Sequence, residues 1–228
     1  MYLNVRRYIY CMKTAIVLGA TGLTGSRLVE MLLGDKRFGT VKIFVRRSTG
    51  ISNDKLEEHV VNFDKPEEWQ NRVTGDVLFS AMGTTIKVAG SKDAQYLIDY
   101  TYQYQMARIA AANGVLRYVL ISAGGADAGS SIFYSRMKGD LERDVQQLTF
   151  DAVHILRPGI LSGNRKEVRT GERIGIAVMR VVGAIPGLSA LRPIDVSIVS
   201  AAMINAAMSP DKGTKVYGMG DVFRLGGK

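Results

Sequence analysis

The sequence predicts an α/β fold: a doubly wound parallel sheet with a small C-terminal cap. Three observations predict it. A short apolar run opens into a glycine-rich turn and then a helical pattern, and β-branched segments go on alternating with helical ones as far as Leu156. No repeat or low-complexity tract interrupts them, and nothing reaches the roughly 18 unbroken apolar residues of a membrane helix.

Each element follows from its local pattern. Lys13 to Leu18 reads as a strand, Gly19 to Gly25 as a tight turn and Arg27 to Leu33 as a helix. Strands are then expected at Val41 to Val45, His59 to Phe63 and Asp76 to Ser80, with a short helix from Pro66 between the last two. A long helix spans Ser91 to Asn113, stopped by Gly114, before a strand at Arg117 to Ser122. A helix over Ile132 to Gln147 and a strand at Ala152 to Leu156 close the series. Strands separated by helices imply right-handed crossovers with helices on both faces.

Beyond Ser162 the pattern weakens into the charged run Arg165 to Arg173, an apolar helix near Ile174 to Val182 and a helix around Val196 to Met208. Such a stretch is short for an independent domain. The chain therefore reads as one domain, with a leader (1–12), a core (13–160) and a C-terminal substrate cap (161–228).

Composition narrows the function. The chain has 228 residues, 46% hydrophobic and 22% charged, which excludes disorder. One cysteine, Cys11, and two distant histidines supply neither a disulfide framework nor a metal cage, so no metal and a reducing, cytoplasmic setting are expected. Arg180 and Pro186 break the most apolar stretch, so no membrane partner is expected. Most of the +9 net charge lies in residues 1–50, where nine basic residues face Glu30 and Asp35. With no Lys/Arg run longer than a pair and no aromatic RNA-binding strand, nucleic acid gives way to a polyanionic small molecule. The chain is expected as a monomer or homodimer.

The turn supplies the site for that anion. Gly19-x-x-Gly22-x-x-Gly25, with Thr21, Leu23 and Thr24 between, stands between a strand and a helix. Glycine permits positive φ and close backbone approach to a pyrophosphate, and the helix N-terminus adds N–H groups and partial positive charge. At the end of the second strand, Arg46-Arg47 stands where an NAD site usually places a carboxylate; guanidinium forks suit a 2′-phosphate, so NADP(H) is expected over NAD(H). Asp64, after the third strand, could accept from an adenine amine, and Ala81-Met82-Gly83 after the fourth brings small residues against a ribose.

Ser122 ends the fifth strand, and Tyr134 and Lys138 share one face of the next helix. A cation near a tyrosine stabilises phenolate and makes proton exchange with a carbonyl oxygen feasible near neutrality. Ser122 would hydrogen-bond the same oxygen.

Together, the Gly19 to Gly25 turn, Arg46-Arg47, Met82-Gly83-Thr84-Thr85, Ser122, Tyr134-x-x-x-Lys138 and Arg157-Pro158-Gly159 resemble the atypical short-chain dehydrogenase/reductases. Within these the similarity is to the HIV Tat-interacting oxidoreductase-like group, with NmrA-like and epimerase-like proteins as wider relatives. The resemblance implies a Rossmann-type NADP-binding core, Ser122, Tyr134 and Lys138 in the catalytic places, and Pro158 and Gly159 beside the nicotinamide. It does not imply a substrate. Reduction of a small carbonyl compound is the expected activity, against a redox-silent NADP(H) sensor or scaffold and a sugar-nucleotide epimerase.

Other features read as structural. Tyr96, Tyr100 and Tyr104, with Arg108, form a packing stripe; Trp69 and His59 sit in or near the core; His154 is a core histidine; and Arg165 to Arg173 is a solvated loop.

Overall fold

The computed structural model describes residues 12–162 and 193–227. Seven parallel strands form one sheet in the order β3-β2-β1-β4-β5-β6-β9, the doubly wound arrangement. They are β1 (Lys13–Leu18), β2 (Phe38–Val45), β3 (Leu56–Val60), β4 (Val77–Ser80), β5 (Arg117–Ile121), β6 (Ala152–Leu156) and β9 (Gly213–Tyr217). A separate two-stranded pair joins β7 (Leu161–Ser162) to β8 (Ile194–Asp195).

Central strands read VLFS and AVHIL because both of their faces are covered. On one side α1 (Leu23–Gly34), α6 (Val196–Met208) and α7 (Met219–Leu225) bury Leu28, Leu32, Val199 and Met203. On the other, α4 (Tyr102–Ala112) and α5 (Phe133–Val145) bury Met106, Ala110, Leu141 and Val145 with Trp69. Removing a leucine side chain from either layer would cost about 2–5 kcal/mol.

The third strand runs Leu56–Val60, not His59 to Phe63. The Val60, Val61 and Phe63 cluster draws the expected strand too late; Phe63 instead meets Trp69 edge-on at 5.8 Å, in the loop after the strand. The long helix is not uniform either. Two short helices, α2 (Ile86–Ala89) and α3 (Lys92–Tyr96), precede a π-helical turn, Leu97–Thr101, that runs directly into α4.

Much of the stretch expected as a cap belongs to the main layers: α6 packs on α1, and β9 is the seventh strand, in parallel register from Ala152↔Gly213 to Leu156↔Tyr217. The edge strand GTKVY was illegible because it is exposed along most of its length and carries no apolar alternation. The leader up to Cys11, the loop Arg165 to Arg173 and the helix near Ile174 to Val182 lie outside the described residues.

Candidate functional site

The glycine turn is a backbone device. Gly19 takes φ +85°, and a Cβ there would meet the Ala81 carbonyl carbon and Met82 nitrogen at 2.6 Å. A Cβ at Gly25 would strike the Gly19 carbonyl, so the first helix lies directly on the turn. Gly22 caps that helix with no side chain, and no acidic residue stands in its first turn. The N-terminus of α1 is therefore left for an external anion.

Two lobes open along this turn. One, of about 350 Å³, lies between Gly19, Val45, Arg46, Phe63 and Tyr102; the other, of about 520 Å³, extends past Thr24 and Met82 to Ser122, Tyr134 and Lys138. They share Thr21, Gly22, Ala81, Met82 and Gly83, and so form one groove across the C-terminal ends of the strands. Its shape suits a dinucleotide: an aromatic-walled lobe at one end, a backbone cradle in the middle and polar side chains at the other end.

Most of the expected residues converge on it. Thr21, Gly22, Leu23, Thr24, Ala81, Met82, Gly83, Ser122, Tyr134 and Lys138 line the larger lobe, and Gly19 and Arg46 the smaller. Five do not. Gly25 packs beneath the turn, and Arg47, exposed like Arg46, lines neither lobe. Asp64 accepts from the Tyr102 hydroxyl at 2.6 Å; burial, and then that carboxylate, push the phenol up to about 12. The Pro158 carbonyl accepts from the Gly124 N–H at 3.2 Å, and Gly159 packs against Met219. From that segment Leu161, not singled out in the sequence, reaches the larger lobe.

At the far end of the larger lobe, the Ser122 hydroxyl is buried and none of the described residues hydrogen-bonds it. Tyr134 is 42% exposed, while Lys138 is 3% exposed with its ammonium 6.0 Å from the Tyr134 ring centre. The closer partner was missed: Asp99 Oδ2 stands 3.5 Å from Lys138 Nζ, on a side chain 1% exposed. Asp99 Oδ1 accepts from the Thr84 N–H at 2.6 Å. Burial raises the Asp99 carboxyl above its ordinary range, against the pull of Lys138. The signal lay in Gln95, Asp99 and Gln103, polar residues four apart and all buried, beside the tyrosine stripe that drew attention. The tyrosines stack at 4.7 and 5.9 Å nearer the surface, and Tyr100 donates to Asp144 at 2.6 Å.

Comparisons agree with this geometry. Residues 19–177 match the NAD(P)H-binding family. The chain is 34% identical over 225 residues to Protein fmp52, mitochondrial, of Aspergillus niger, covering 95% of this chain and 96% of that protein. It is 34% identical over 206 residues to Protein HTATIP2 of Rattus norvegicus, covering 88% and 84%. Among solved structures, a short-chain dehydrogenase/reductase superfamily protein from Agrobacterium tumefaciens with bound NAD superposes with TM-score 0.68 at 17% identity, covering 90% of this chain and 76% of that one. That likeness supports the fold.

One expectation is overturned. The fungal relatives are named as mitochondrial proteins, which points to mitochondria and not the cytoplasm. A lone cysteine reports a thiol-reducing setting and does not separate compartments that share one. Among the described residues no helix is long and apolar enough to cross a membrane, and no group of His, Cys, Asp and Glu could hold a metal ion.

Proposed function

The chain belongs to the NAD(P)H-binding family, and from that premise we propose that it is an NADP(H)-dependent oxidoreductase of the short-chain type that reduces a small carbonyl compound. One observation carries the reading: Ser122, Tyr134 and Lys138 line the same lobe as the glycine turn. The cofactor would supply the hydride; the protein supplies orientation and electrostatics.

Gly19, Gly22 and the N-terminus of α1 would hold the pyrophosphate, and Arg46 the 2′-phosphate. Met82 and Gly83 would lie along the ribose, with Lys138 donating to its hydroxyls. Ser122, with its hydroxyl uncommitted, would donate to the substrate carbonyl oxygen. Tyr134 would deliver the proton to that oxygen from the exposed side.

The test is NADPH consumption with a panel of aldehydes, ketones and quinones, repeated with Tyr134→Phe. Turnover is expected to fall about 10²- to 10⁴-fold in that variant, with NADPH affinity by calorimetry unchanged. Equal turnover in the two proteins rejects the assignment. Tight NADPH binding by wild type with no turnover on any carbonyl favours the sensor reading.

A further inference from the structure

The larger lobe contains a charge pair that neither the turn nor the Ser/Tyr/Lys set requires. Asp99 sits in the π-helical turn Leu97–Thr101, which interrupts an otherwise α-helical run from Lys92 to Ala112. A π-turn breaks the regular ladder of carbonyl acceptors and is kept where a side chain must be re-aimed. Here the freed group is accounted for: Gln103 Nε2 donates to the Asp99 carbonyl at 2.6 Å, and Gln103 Oε1 accepts from Ser80 Oγ at 2.7 Å. Both glutamine contacts are buried. The turn thus presents the Asp99 carboxylate to two different elements, through Oδ1 to the Thr84 N–H and through Oδ2 to Lys138 on α5. A Cβ on Gly83 would stand 3.7 Å from that carboxylate, in ordinary contact, so the loop lies directly against Asp99.

We infer that Asp99 is a positioning residue, whose buried carboxylate fixes the Lys138 ammonium and ties it to the Met82–Thr85 loop, so that lysine and loop meet the same ribose. This rests on the NADP(H) reading above. The ionisable side chains lining this lobe, among the described residues, are Asp99 from the π-turn and Tyr134 and Lys138 from α5. No other charge there offsets the lysine. A buried ammonium stripped of its counter-ion is strongly unfavourable, and the same holds for the carboxylate left alone, whereas removing both leaves neither uncompensated.

A double-mutant cycle on the full chain tests this with Asp99→Asn, Lys138→Met and their combination. Asp99→Asn keeps an acceptor for the Thr84 N–H and removes only the charge. NADPH affinity by calorimetry is expected to fall about tenfold for Asp99→Asn in the wild-type background and less than about twofold in the Lys138→Met background. Thermal melting gives a second reading without ligand: each single substitution lowers the melting temperature, and the double variant recovers most of the loss. If a single variant does not fold, a folded double variant still reports the coupling.

Burial raises the Asp99 carboxyl, so wild-type NADPH affinity should weaken as pH falls through that raised value, a step absent from Asp99→Asn. Equal affinity losses in both backgrounds, no loss in either, or melting losses that add, overturn the inference. Failure of wild type to turn over any carbonyl sinks the reductase reading alone, because affinity and melting are measured without turnover. Failure to bind NADPH sinks the cofactor reading, and the melting cycle still decides the Asp99–Lys138 coupling.

Discussion

At the glycine turn the groove is walled by main chain, whereas at its far end it is walled by side chains from separate elements. Gly19, Gly22 and Gly25 work by lacking a Cβ, and what they position is backbone: the Ala81-Met82 peptide and the first turn of α1. Ser122 directly follows β5, Tyr134 and Lys138 come from α5, Asp99 from the π-turn and Leu161 from β7. The first end is specified by short-range sequence, the second by how elements far apart in the chain dock. Substitutions should therefore fail differently at the two ends.

The largest effects come from adding one methyl to a glycine at each end. Gly25→Ala drives a Cβ into the Gly19 carbonyl, and Gly139→Ala drives one into the backbone of Asp127 and Ala128, where α5 meets the preceding loop. Each is an overpacking against rigid main chain, worth about 3 kcal/mol, or roughly 10 °C in melting temperature for a chain of this size. The difference lies in function. Gly25→Ala should abolish NADPH binding, whereas Gly139→Ala should shift Tyr134 and Lys138 and abolish turnover while weakening NADPH only about tenfold, as loss of the lysine's placement alone does. Calorimetry and carbonyl-dependent NADPH oxidation on both variants check this; indistinguishable profiles would break the comparison.

The same division explains what was legible in the sequence. Glycine spacing after an apolar strand fixes a turn locally, so the shape of the turn could be read residue by residue. Ser122, Tyr134 and Lys138 were each legible because a strand end and a helix face are local patterns, although the docking that brings them together is not. Asp99 was not: its burial depends on a π-turn that a hydrophobic period does not encode, and on Gln103 capping its carbonyl from within the core. Pro158 and Gly159, carried in by resemblance, sit a few residues short of the segment that reaches the lobe. The strand β9 escaped because an exposed edge strand has one neighbour and little to bury.

Acid should separate the two halves of the sheet by a smaller amount. His154, fully buried in β6, has its Nδ1 3.1 Å from the Tyr217 hydroxyl, and no described residue hydrogen-bonds its Nε2. Burial lowers it to about 4 from 6.5. The folded value is depressed, so the unfolded chain takes up the proton first. Stability is full above about pH 6.5 and falls as pH drops toward 4, by on the order of 3 kcal/mol. His59, on β3, is also lowered by burial, but Glu57 at 3.9 Å opposes the shift. Asp35 and Asp144, held low by hydrogen bonds from Arg37 and Arg143, lose their contribution only below this window. Urea midpoints at pH 7 and 4.5 should differ clearly in wild type and much less in His154→Gln. Amide exchange at pH 4.5 should open β6 and β9 before β1 and β2, and the reverse order would count against placing the acid-sensitive half of the sheet around His154.

The smallest effect probes the arginines at the rim of the smaller lobe, beside the backbone-built turn. Arg46 lines the smaller lobe and Arg47 does not, although the sequence pairs them. A guanidinium on a 2′-phosphate contributes about 1.5–3 kcal/mol as a charge-assisted hydrogen bond, and solvent at this rim reduces it. Arg46→Ala should weaken NADPH about tenfold and leave NADH nearly unchanged, because NADH carries no phosphate at that position. Arg47→Ala should change NADPH affinity less than about threefold, through the field alone, and that change should vanish in high salt. Titrations of both dinucleotides against the two variants at low and high salt check this. If Arg47→Ala discriminates NADPH from NADH as strongly as Arg46→Ala, the 2′-phosphate is gripped outside the lobe, and the boundary drawn between the two ends of the groove moves outward to the end of β2.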